Sequence, residues 1–87
     1  MSPLEHLDRA LVVDLAREMI AVRTTNPPGD EAALAARVLD RGERLGLKGE
    51  LRPVSEGRAN VVLRVPGSEG APRLMYCGHL DTVQIGE

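Results

Sequence analysis

Leu74-Met75-Tyr76-Cys77-Gly78-His79-Leu80-Asp81-Thr82-Val83 is the stretch on which the fold turns. Leu74 to Cys77 are apolar without a break, and the run stops at a glycine. A continuous apolar run of strand length predicts a strand covered on both faces, as in the middle of an α/β sheet. Two polar residues, His79 and Asp81, follow at once. In open α/β sheets ligands lie outside the carboxyl ends of the strands, so both emerge where a site is expected. Residues two apart in an extended chain point the same way. An aspartate so placed accepts the proton of one imidazole nitrogen and leaves the other nitrogen for a metal. Read without context, an H-x-D triplet is more often a chance surface hydrogen-bonded pair than a metal site.

Working upstream, Asn60 to Val65 alternates, with Val61, Leu63 and Val65 on one face and Val62 and Arg64 on the other. This predicts a strand in a hairpin with Lys48–Val54, through a turn at 55–58. Pro53 marks the earlier strand as an edge or an early end. Residues 66–72, rich in proline and glycine, predict a flexible connection to the apolar run.

The first half of the chain has helical period. Leu4, Leu7, Leu11, Leu15, Met19 and Val22 share one face, and Ser2, Pro3 and Glu5 supply a capping box and an N1 proline. The predicted helix stops near Val22 or Arg23, before the rigid loop Asn26-Pro27-Pro28-Gly29. Asp30 is placed to cap a second helix whose stripe is Leu34, Val38, Arg41 and Leu45, and Glu31 favours its positive end. Gly42 costs that helix about 1 kcal/mol. Gly46 reads as its left-handed cap, with Leu47 packing back. The order is therefore two helices followed by three strands of a mixed sheet.

Composition narrows the function classes. The chain has 87 residues, and Tyr76 is its one aromatic. A compact monomer of this length buries about 63% of its unfolded surface, a thin core without rings to fill it. A single cysteine forms no internal disulfide, and two histidines without a cysteine cluster build no structural zinc site. Thirteen acids interleave with eleven bases, without the basic stripe of a nucleic-acid binder. No apolar run approaches a membrane span, and the first residues do not read as a signal peptide. The lone thiol fits a reducing cytoplasm.

The stretch Tyr76 to Val83 resembles the G-H-x-D-x-V signature of the zinc aminoacylase/carboxypeptidase family, which includes acetylornithine deacetylase, succinyl-diaminopimelate desuccinylase, aminoacylase and glutamate carboxypeptidase. Thr25 to Glu31 is similar to the S/T-x-N-P-P-G-x-E loop that follows the first helix in that family. The order of elements matches as well, so the likeness spans nearly all of the chain. One departure is Gln84, where the family commonly has proline.

The resemblance implies that His79 is a metal ligand and that Asp81 is the catalytic-motif aspartate that orients it. It implies a site of two zinc ions, with cobalt as a possible substitute, and hydrolysis of an amide bond in an N-acyl amino acid or a peptide. It further implies that residues 1–87 are the N-terminal fragment of the catalytic domain. The bridging aspartate, the Glu-Glu pair, the remaining ligands and a dimerisation or lid domain would then lie elsewhere, and the complete enzyme would be a cytoplasmic homodimer. The fragment alone would be inactive. The alternative is a non-catalytic small α/β binding or assembly module.

Other candidates read as structural. His6 is a solvated side chain in the first turn. Cys77 is a small buried hydrophobe, though two-residue spacing leaves a Cys77–His79 pair geometrically open. Arg58 and Asn60 are read equally as substrate contacts or as a turn and a strand start.

Overall fold

The computed structural model of the chain describes residues 3–25, 29–65, 67 and 74–83. A single 3-10 turn, Pro3–His6, opens it. Helix α1 (Arg9–Ile20) follows, then α2 (Ala32–Arg44), then strands β1 (Lys48–Ser55) and β2 (Arg58–Arg64). The strands pair antiparallel, from Lys48 opposite Arg64 to Ser55 opposite Arg58, with an irregularity between Pro53 and Ser55. Two helices and a two-stranded antiparallel sheet make the fold mixed α/β.

The start of α1 differs from the expected one. The helix begins at Arg9, because the Asp8 carboxylate accepts from the Leu11 N–H at 3.1 Å and so occupies the N-cap role. An aspartate is among the strongest N-caps, and Asp8 breaks the run that the apolar spacing extended back to Pro3. Ser2 lies outside the described residues. At the other end α1 stops at Ile20, just short of the expected Val22 or Arg23.

Helix α2 ends where expected, but it begins one residue later than an Asp30 cap implies. Glu31, not Asp30, precedes its first turn, and no side chain caps it. Instead the Ala32 N–H donates to the Gly57 carbonyl at 3.0 Å. The hairpin turn therefore satisfies one of the orphan donors of the helix N-terminus. The C-terminus closes as expected. Gly46 takes φ 89°, its N–H donates to Glu43 O at 3.0 Å, and the Leu47 N–H reaches Gly42 O at 2.9 Å. That pair of bonds is the Schellman arrangement.

The core lies where α2 crosses the hairpin. Leu34, Ala35 and Ala59 are buried. Small residues set the distance: a Cβ on Gly42 would stand 2.6 Å from Leu63 Cδ2. The helix-propensity cost of that glycine is thus the condition for α2 and β2 to meet. Helix α1 packs more loosely and buries none of its residues fully. Leu15, Met19, Val38, Leu47 and Leu63 border an apolar crevice of about 240 Å³ between it and the rest. Glu18 spans the two helices, 3.4 Å from Arg41 Nε and 3.8 Å from Arg37 Nη1. The accessible surface is 7473 Å², against roughly 5,000 Å² for a compact monomer of this length. Among the described residues no helix is long and apolar enough to cross a membrane.

The expected third strand is corrected. Leu74 to Leu80 adopt neither helix nor strand. Leu74 and Met75 are exposed, and Tyr76 is 89% exposed. Cys77, expected to be buried, is exposed too. A strand needs a ladder partner for its N–H and C=O groups, and an apolar strand needs cover on its faces. Neither β1 nor β2 offers either to this run. Among the described residues the segment meets the body at its end, where Asp81 reaches Arg58 and Thr82 forms an isolated parallel bridge with Thr25.

Candidate functional site

Four separate pieces of chain converge beneath His79. The first is Thr24-Thr25, after α1. Thr24 is buried, and its carbonyl accepts the Thr82 N–H at 3.0 Å. The second is Gly29 to Glu31, entering α2, with the Gly29 N–H donating to Thr25 O at 3.0 Å. The third is the end of the hairpin, Gly57 in its turn and Arg58 at the start of β2. The fourth is His79 to Thr82. The two motif regions singled out in the sequence are therefore neighbours in space. Residues 26–28 of the N-P-P-G loop lie outside the described residues.

His79 Nδ1 lies 2.9 Å from the Asp81 carbonyl oxygen and 3.2 Å from Asp81 Oδ1. Both partners are acceptors, so the neutral ring carries its proton on Nδ1, and the lone pair resides on Nε2. The His79 side chain is 84% exposed while Asp81 is 26% exposed. The carboxylate is thus held against the body, and the imidazole projects from it. The expectation of an aspartate gripping one ring nitrogen has a geometric counterpart here, with the backbone carbonyl of the same residue as a second acceptor. Cys77 plays no part in it: the hydrogen-bond partner of His79 is Asp81.

Arg58 ties this pair to the fold. Its Nε donates to Glu31 Oε1 at 3.0 Å and Oε2 at 3.3 Å, and its Nη2 reaches Asp81 Oδ2 at 3.5 Å. One planar guanidinium therefore spans two carboxylates from segments 50 positions apart in the chain. Gly29 lies against it at φ 76°, and a Cβ there would stand 2.7 Å from Arg58 Cζ. The glycine supplies both the left-handed backbone and the room for the guanidinium. In the sequence Glu31 reads as a charge favouring a helix N-terminus, and Arg58 as a turn residue or a substrate contact. Their pairing leaves no local signal, because the two opposite charges stand 27 positions apart.

The donor chemistry suits one metal ligand: an exposed imidazole Nε2 whose other nitrogen is fixed by a carboxylate. Among the described residues no group of three or more His, Cys, Asp and Glu side chains could hold a metal ion. No family model, curated protein or solved structure matches the chain.

Proposed function

We propose that this chain carries the first metal ligand of a zinc-dependent amide hydrolase acting on N-acyl amino acids or peptides. The observation that carries the reading is the His79–Asp81 pair, with Nδ1 held at 2.9 and 3.2 Å by one residue and Nε2 left for coordination. The nearness of Thr24 and Glu31 to the G-H-x-D segment, through the Thr82 N–H to Thr24 O bond and Arg58 between Glu31 and Asp81, supports it as well. In this reading His79 Nε2 binds zinc, and Asp81 fixes the tautomer and ring direction. Bound zinc would lower the pKa of a water and polarise the scissile carbonyl. A catalytic zinc takes about three protein ligands. The remaining ligands, and the carboxylate that serves as general base, must come from outside the described residues. The reading thus treats residues 1–87 as the N-terminal part of a larger catalytic domain.

The test is amine release from a panel of N-acyl amino acids and dipeptides by the natural protein bearing this sequence. Metal-dependent hydrolysis that His79→Ala abolishes is the expected result. Hydrolysis unaffected by metal removal or by His79→Ala would contradict it, as would a continuing reading frame without a Glu-Glu pair. The 87-residue chain alone is expected to bind zinc weakly and to turn over nothing.

The second reading, a non-catalytic binding or assembly module, is favoured by one observation: Leu74, Met75 and Tyr76 stand exposed in a row. Association that persists in His79→Ala and in the presence of a chelator, without hydrolysis, selects it.

A further inference from the structure

We infer that Arg58 is a positioning residue: clamped by Glu31 and backed by Gly29, it holds Asp81 and through Asp81 sets the tautomer and direction of His79. The inference rests on reading His79 as a metal ligand. It extends that reading to a residue that touches neither metal nor substrate.

The two Asp81 oxygens have divided roles. Oδ1 faces His79 at 3.2 Å and Oδ2 faces Arg58 at 3.5 Å. A carboxylate pinned on one oxygen presents the other in a fixed direction. The pin is itself anchored, because the Glu31 side chain is only 12% exposed and takes Arg58 Nε on both oxygens. Gly29 lets the guanidinium lie close against the backbone, at a place where a Cβ would stand 2.7 Å from Arg58 Cζ. The Thr82 N–H to Thr24 O bond holds the backbone one residue further on. Asp81 is thus fixed through side chain and main chain together, whereas His79, 84% exposed, has no other hydrogen-bond partner among the described residues. If Arg58 served only to staple α2 to the hairpin, the bonds to Glu31 would suffice. The reach of Nη2 to Asp81 adds nothing to that staple and connects it to the imidazole.

Two readouts on the chain separate positioning from stapling. The first is the tautomer of His79 in the metal-free protein, from long-range ¹H–¹⁵N spectra of the ring above the imidazole titration range. The second is a titration with Co²⁺ alone, followed in the visible spectrum. Wild type is expected to show the Nδ1–H tautomer. In Arg58→Met the tautomer is expected to drift towards the mixture of a free imidazole, with Co²⁺ affinity down about tenfold. Arg58→Lys keeps the charge but not the planar fork and recovers only part of both. A folded Arg58→Met with wild-type tautomer and wild-type Co²⁺ affinity overturns the inference. Where Arg58→Met does not fold, Glu31→Gln decides: a shift in the same direction supports the inference and an unchanged tautomer overturns it. If wild type binds no Co²⁺, the zinc reading falls, and the tautomer comparison still decides the role of Arg58.

Discussion

The α2–hairpin unit and the 74–83 segment are both rich in apolar residues, yet they end in opposite states. Leu34, on the inner face of α2, is 4% exposed, while Tyr76 is 89% exposed. The difference lies in partners. In the hairpin each strand brings the other's ladder within a short turn, and α2 returns to cover one face. Among the described residues, 74–80 find no ladder and 74–79 stay exposed, and the segment attaches through Asp81 and Thr82. Apolar character marks what should be covered; the covering must come from another part of a fold. The same segment nevertheless delivers its polar tip to a defined place, because Thr24, Arg58 and Thr82 dock it there.

The contrast can be broken at its strongest point first. Leu34→Ala is expected to cost about 3 kcal/mol in urea unfolding, a large share of the stability of so small a core. A loss below about 1 kcal/mol would show that the α2–hairpin contact is not the seat of stability. Gly29→Ala comes next. A methyl group at φ 76° against the guanidinium is expected to cost about 2 kcal/mol and to displace Arg58. Tyr76→Ser, in the uncovered segment, is expected to change stability by less than about 0.5 kcal/mol. A larger loss would mean that the run is covered in solution.

The smallest effect concerns Glu50 on the open face of the hairpin. The hydrogen bond from Arg52, at 2.7 Å, and its charge hold the Glu50 carboxyl below its usual range. A depressed carboxylate adds stability above its unfolded pKa, and that stability is lost as pH falls through the lower folded value. Glu50 is exposed, so salt screens the pair. At low ionic strength Glu50→Gln should therefore cost a little stability at neutral pH, a difference that vanishes as pH falls through the acid range. An effect at neutral pH in high salt would contradict this.

Legibility followed locality. The span of α2, its Gly46 cap and the hairpin were readable because each depends on spacing and turn residues within a few positions. The start of α1 was not, because Asp8 and Ser2 both offer a cap and only the geometry at Leu11 decides between them. The third strand failed as an expectation because pairing is non-local: its apolar run records a need for cover that the described elements do not meet. The site divides the same way. His79 and Asp81 were visible from a two-residue spacing, whereas the Glu31–Arg58–Asp81 connection joins three distant segments and leaves no pattern along the chain.

The central claim is that His79 is built to bind a metal through Nε2 while Asp81 holds Nδ1. The most direct measurement is a Zn²⁺ titration followed at the ring nitrogens of His79, with His6 as the internal control. The account predicts that the His79 Nε2 resonance moves with added zinc, that Nδ1 keeps its proton, and that His6 responds less. Unmoved His79 resonances, or zinc bound at Nδ1 in place of its proton, would contradict it.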